Sequence, residues 1–122
     1  NELKQSRFIE QVMVVGEGEK MPAAFIQPNF EFVQEWINKK KKNIGKSANE
    51  IVASQEVIDR IQKELDKCNQ HFGKWEQIKV FRLTADAWTP DAGHLTPTMK
   101  MKRDIIKQKY IDLYSDMYGR SK

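Results

Sequence analysis

The sequence predicts an α+β domain in which a small three-stranded sheet packs with about three main helices, and a short loop or hairpin follows the last strand. Three observations carry that expectation. Two apolar, β-branched runs flank Gly16-Glu17-Gly18; a long segment from Val57 to Phe72 repeats apolar residues at helical spacing; and an alternating run, Trp75 to Leu83, follows it. The chain has 122 residues, 39% of them hydrophobic, which suits one modest core and a single domain over 1-122.

Each element has its own signal. Phe8 to Val15 and Met21 to Gln27 read as a β-hairpin turned by the two glycines, and Pro28 closes the second strand. Phe30, Val33, Trp36 and Ile37 then fall on one helical face. That helix closes at Lys39-Lys40-Lys41-Lys42, with Gly45 suited to the chain reversal. The lysine run reads as a solvated helix end rather than a phosphate or membrane patch. Ser47 and Glu50 have capping-box spacing, which predicts a short helix. Ser54 opens the longest helix, with Val57, Ile58, Ile61, Leu65, Cys68 and Phe72 along one stripe up to Gly73. Trp75 to Leu83 is expected to be a half-buried third strand, and Thr84 to Gly93 a loop with Trp88 as its large apolar member. A terminal helix follows, with Ile106, Tyr110, Leu113, Tyr114 and Met117 facing inward. The aromatic residues Trp36, Trp75, Trp88, Tyr110, Tyr114 and Tyr118 are assigned mainly to the core and to domain contacts, Trp88 being also placed to face a partner domain.

Composition narrows the functional classes. The single cysteine, Cys68, excludes an internal disulfide and suits a reducing cytosol, so a cytoplasmic location is expected. Its place on a helical stripe marks it as a small buried thiol. His71, near the end of that helix, and His94, in a turn without a visible partner, lack metal-ligand spacing, and neither is taken as a site residue. Val12 to Val15 is far too short to span a bilayer, and Asn1-Glu2-Leu3-Lys4 lacks the features of a signal peptide. The net charge is +4. Lys100 to Lys122 holds seven basic residues against three aspartates, an excess as large as that of the whole chain. Such a surface favours anionic partners, whether nucleic acid, membrane or phosphorylated substrates.

One segment carries chemistry. Leu95-Thr96-Pro97-Thr98-Met99-Lys100 presents a lysine on a proline-constrained loop at a helix entry, with Lys102 and Arg103 beside it. A cation held in place there can neutralise charge developing on a phosphate or carboxylate oxygen, more strongly in a site closed to water.

The run from Gly93 to Arg103, with Thr96-Pro97-Thr98-Met99-Lys100 and its following basic pair, resembles the closing motif of long-chain acyl-CoA synthetases in the adenylate-forming superfamily. Val15-Gly16-Glu17-Gly18, Phe25-Ile26-Gln27-Pro28 and Trp75 to Leu83 extend the resemblance in the family's order over nearly the whole chain. Met99 and His94 stand where variation within the family is expected. The resemblance implies the C-terminal domain of an AMP-forming long-chain fatty-acid–CoA ligase, a mobile lid swinging between two half-reactions. It implies that Lys100 is the catalytic lysine of adenylation, reaching the fatty-acid carboxylate and the ATP α-phosphate region, with Thr98 a further ATP-binding residue. ATP and coenzyme A are then substrates of the full enzyme, and Mg2+ accompanies ATP with no ligand in these residues.

The resemblance further implies that the partner is the enzyme's own N-terminal domain, which binds ATP and fatty acid. Asn1 to Ser6 resembles the helix after the family's glycine loop, so hinge, glycine loop and N-terminal domain are expected upstream, and these 122 residues alone are expected to be inactive. Peripheral membrane contact by the full enzyme stays open. Two rivals stand beside this reading. One is an adenylating ligase for another carboxylic acid. The other is a non-catalytic basic module for nucleic acid or an anionic surface, which explains the charge but not the closing motif, so no nucleic-acid partner is expected.

Overall fold

The computed structural model describes residues 2–120. Asn1, in the N-terminal segment, and Lys122, in the C-terminal charge count, lie outside the described residues.

The two apolar runs pair as expected. Strand β1 (Ile9–Val15) lies antiparallel to β2 (Ala23–Pro28), with Val12 opposite Ile26 and Val15 opposite Ala23. In the turn between them the Glu19 N–H donates to the Gly16 carbonyl at 2.9 Å. Gly16 has φ +120°, and a Cβ there would lie 2.7 Å from both the Met21 carbonyl oxygen and the Tyr118 hydroxyl, so only glycine fits. Strand β3 (Val80–Leu83) joins the other edge of β2 in parallel, Ala23 beside Val80 and Ile26 beside Leu83. A parallel neighbour requires a long crossover. Here it is made by α1 (Phe30–Lys39), α2 (Ala48–Ala53) and α3 (Gln55–Asn69).

All six residues of the central strand β2 are buried, and alternation divides them between two cores. Ala24 and Ile26 meet Val33 and Ile37 of α1, Ile51 of α2, and Val57, Ile61 and Leu65 of α3. Ala23 and Phe25 meet Trp88, Leu95, Ile106, Tyr110, Tyr114 and Met117. Beyond the sheet, α4 (Arg103–Lys109) and α5 (Ile111–Met117) close the second face. The result is the expected α+β arrangement on a three-stranded sheet, with five α-helices among the described residues and a 3-10 turn at Glu2–Gln5.

Caps behave as the sequence predicts at two helix starts. Ser47 Oγ accepts from the Glu50 N–H at 3.2 Å while Glu50 reaches back to the Ser47 N–H, and Ser54 caps α3 through the Val57 N–H. Five expectations are corrected. The reversal after α1 is made by Lys41, with φ +52°, and not by Gly45; a Cβ at Gly45 would displace the Glu50 carboxylate that completes the cap. The lysine run is divided, since only Lys39 belongs to the last helical turn and Lys42 pairs with Glu56 at 2.7 Å and lies over the Trp36 ring. Helix α3 stops at Asn69, leaving Phe72 and Gly73 in the turn beyond.

The largest correction concerns the third strand. Only Val80 to Leu83 forms it, and Trp75 is 86% exposed. The Asn69 side chain takes the place of a strand neighbour, accepting from the Ile78 N–H at 3.0 Å and donating to the Ile78 carbonyl at 2.9 Å. With both backbone groups of Ile78 satisfied, the ladder begins later. The expected terminal helix is likewise divided into α4 and α5 at Tyr110 (φ −112°, ψ 31°).

Candidate functional site

Between β3 and α4 the chain builds a short hairpin on the second face of the sheet. Leu95 and Met101 form its one bridge, and the Thr96 N–H donates to the Lys100 carbonyl at 2.7 Å. Thr96-Pro97-Thr98-Met99 turns the chain, closed by the Met99 N–H to the Thr96 carbonyl at 2.8 Å. Pro97 suits the second position of such a turn because its ring presets φ. Met99 follows in the left-handed region at φ +69°. A turn followed by a left-handed residue is a common three-residue hairpin loop, usually with glycine at that place. Methionine makes it a strained solution, costing roughly 1 kcal/mol.

This geometry fixes the backbone of Lys100 at both ends. Its carbonyl accepts from the Thr96 N–H, and its own N–H donates to Thr96 Oγ1 at 3.0 Å. The Thr96 and Thr98 hydroxyls are 3.1 Å apart. The side chains of Lys100, Thr98 and Met99 are exposed, Met99 at 59%. A rigid main chain thus presents a lysine that makes no side-chain hydrogen bond or ion pair within the described residues. Of its basic neighbours, Lys102 is half-buried, while the Arg103 guanidinium at the start of α4 is tied to the Val14 carbonyl of β1. The structure brings Lys100 and Thr98 onto one hairpin, as the sequence predicts. A separate cleft of about 550 Å³ lies between the β1–β2 turn and α4–α5; it is lined by Glu19, Trp75, Arg103, Lys107 and Tyr114 and includes neither Lys100 nor Thr98.

The hairpin stands on residues to which the sequence assigns no place in the site. Trp88 is 4% exposed and belongs to the core; its backbone N–H donates to Gln27 Oε1 at 3.0 Å and its indole N–H to Thr84 Oγ1 at 3.1 Å. His94, expected to lack a partner, is corrected: it is 1% exposed, with Nδ1 3.3 Å from the Thr89 N–H and Nε2 3.1 Å from the Tyr110 hydroxyl. That hydroxyl donates to Asp86 at 3.1 Å. Burial holds the His94 imidazole below its ordinary pKa, assisted by Lys109 and opposed by Asp86, while burial and Asp86 push the Tyr110 phenol upward. Gln27, Tyr110 and Asp86 are distant in sequence from the groups they bind, so no local motif announces those pairs.

At the C-terminal end, Tyr114 donates to Glu19 at 2.7 Å, Tyr118 donates to the Met21 carbonyl at 2.7 Å, and Arg120 pairs with Glu19. Arg82 of β3 pairs with Asp116 at 2.8 Å. Together they hold α5 on the sheet. Among the described residues no group of three or more His, Cys, Asp or Glu side chains could hold a metal ion, and no helix is long and apolar enough to cross a membrane.

No family profile matches the chain. It is 28% identical over 120 residues to a long-chain-fatty-acid–CoA ligase of Mycobacterium tuberculosis, covering 98% of this chain and 20% of that protein. With fatty acyl-CoA synthetase B of Dictyostelium discoideum the identity is 32% over 121 residues, covering 95% of this chain and 17% of the relative. The chain therefore spans about a fifth of the length of these relatives. The fold is shared with the adenylation domain of a carboxylic acid reductase from Segniliparus rugosus, solved in complex with AMP and a co-purified carboxylic acid, at a TM-score of 0.72 and 18% identity, over 96% of this chain and 17% of that one. Along nearly its whole length the chain is a homologue of fatty-acid–CoA ligases, corresponding to a C-terminal part of those larger proteins, and it shares the fold of an adenylation domain.

Proposed function

We propose that this chain is the mobile lid of an AMP-forming long-chain fatty-acid–CoA ligase, and that Lys100 serves the first of its two half-reactions. The observation that carries the reading is an exposed ammonium, without a partner among the described residues, on a hairpin whose main chain is fixed on both sides of it. In the first half-reaction a fatty-acid carboxylate oxygen attacks the α-phosphorus of ATP, and the bond to the departing pyrophosphate breaks. Both reactants are anions. A preplaced cation reduces their repulsion and the charge density of the transition state, and it needs no reorganisation when its backbone is already rigid. Thr98, on the same turn, offers a hydroxyl to a phosphate oxygen. In the second half-reaction the thiol of coenzyme A, giving up its proton, attacks the acyl carbonyl carbon and AMP leaves.

The ATP and fatty-acid pockets, and the carboxylates that would hold Mg2+ with ATP, belong to the N-terminal partner domain, so acyl-chain length is chosen there. The isolated chain is inactive. In the full-length protein, Lys100→Ala should slow acyl-adenylate formation, followed as pyrophosphate release, by on the order of a hundredfold. Thioester formation from supplied acyl-adenylate should stay near the parental rate. Equal loss of both half-reactions with an unchanged melting temperature would sink the selective role.

A further inference from the structure

We propose that His94 is a positioning residue for Lys100: its ring and its backbone together clamp the base of the Leu95–Met101 hairpin, so the aromatic cluster on this face of the sheet decides where the lysine stands. This rests on the reading of Lys100 as the adenylation cation.

The ring is held through both nitrogens. Nδ1 accepts from the Thr89 N–H, which leaves Nε2 as the protonated nitrogen, donating to the Tyr110 hydroxyl. The phenol's own proton is given to Asp86, so the donors run in one direction, from imidazole to phenol to carboxylate. Aromatic neighbours pack beside the ring as well. The rings of Trp88 and Tyr110 are near-parallel to that of His94, each 6.1 Å from it between centroids and 6.5 Å from each other. The main chain of the same residue closes the stem, its N–H donating to the Thr89 carbonyl at 3.1 Å and its carbonyl accepting from the Lys102 N–H at 2.8 Å. One rung further out, Thr96 and Lys100 pair.

The loop after β3, the hairpin and the junction of α4 with α5 therefore converge on one imidazole. Tyr110 lies at that junction, so the helix break turns its hydroxyl to account. Among the described residues the Lys100 side chain makes no hydrogen bond or ion pair, so within them the point from which the lysine extends is set by this stem. A misplacement of about 1 Å at a charge-stabilising group slows chemistry by up to on the order of a hundredfold.

The test uses the full-length protein and measures both half-reactions, with melting temperatures, for His94→Asn, His94→Gln and Tyr110→Phe, each alone and combined with Lys100→Ala. The amide of asparagine can keep the bond from Thr89 but not the reach to Tyr110. Glutamine can reach Tyr110, and phenylalanine removes only the hydroxyl. We expect His94→Asn and Tyr110→Phe to slow adenylation about tenfold, His94→Gln to retain more of the rate, and thioester formation to stay within about twofold of parental. In the Lys100→Ala background the same changes should add nothing, because they act through the absent lysine.

A further tenfold loss in that background would overturn the proposal, as would equal loss of both half-reactions or parental adenylation rates in Tyr110→Phe. If a His94 variant does not fold, Tyr110→Phe decides alone, since it preserves the ring stack. Should Lys100→Ala by itself leave adenylation unchanged, the reading of Lys100 fails, an outcome distinct from failure of the clamp.

Discussion

The two faces of the sheet are built from different materials. The face covered by α1, α2 and α3 is held largely by aliphatic packing, with Val33, Ile37, Ile51, Val57, Ile61 and Leu65 buried against Val12, Ala24 and Ile26. The face that carries the hairpin is aromatic and polar: Trp88 and Tyr110 share it with His94, Gln27 and Thr84, all buried, Trp88 bonded to Gln27 and Thr84 and His94 to Tyr110. Aliphatic packing is non-directional and tolerates small shifts, whereas hydrogen bonds between buried groups are directional and expensive to leave unmade. The first face supplies stability, and the second supplies placement.

Three changes break or sharpen that contrast. The largest effect belongs to the aliphatic face, where Leu65→Ala removes a fully buried side chain and should lower stability by about 2–5 kcal/mol. Denaturant unfolding measures it, and the two half-reactions should fall together with the folded fraction. Preferential loss of adenylation would erase the distinction. On the polar face, Thr84→Val keeps the shape but strips the acceptor from the Trp88 indole N–H, which should cost about 1–3 kcal/mol. A loss below about 0.5 kcal/mol, or a thermostable variant, would mean that this bond does not hold the loop.

The smallest and most selective change is acidification. The folded pKa of His94 lies below its ordinary value of 6.5, so as pH falls below 6.5 the unfolded state binds the proton first and stability declines until the folded value is reached. On the other face Glu64 is also lowered, burial working against the shift and hydrogen bonds from Ser6 and Arg60 outweighing it; its contribution is kept above 4.5 and lost below. Melting temperature should therefore decline first through the His94 window and again in stronger acid. In His94→Gln the first decline should vanish and the second remain. A flat melting temperature from pH 6.5 to 5 in the parent would contradict the assignment.

The same contrast separates what was legible in the sequence from what was not. The glycine turn, the Ser47 and Ser54 caps and the stripe from Val57 to Cys68 are local patterns, each enforced by atoms a few residues apart, and all are found in place. The third strand is shorter than its pattern predicts, because Gln77 to Lys79 alternates like a strand while Asn69, from the preceding helix, holds Ile78. Gly45 suggested a reversal, but its reason is the neighbouring Glu50 carboxylate, a contact no composition rule contains. On the polar face the decisive pairs, Trp88 with Gln27 and His94 with Tyr110, join residues far apart along the chain. Lys100 is proposed from its motif, whereas the clamp proposed beneath it joins His94 to Tyr110, a pair that no motif contains.

The parallel seat of β3 beside β2 also orders events during folding. β1 and β2 meet across a short turn, but β3 can dock only after the intervening helices have brought the chain back, so the entropy of closing a long loop must be overcome before its contacts are gained. Thr84, Asp86, Trp88, Thr89 and Tyr110, which support the lysine hairpin, follow that point in the chain, and the Trp88 loop also needs Gln27 of β2 as its anchor. The aliphatic face can therefore assemble while the other face still exposes Met13, Ala23 and Phe25 of the strands. A chain interrupted at that stage would be half condensed, with its sticky surface on the side destined for chemistry.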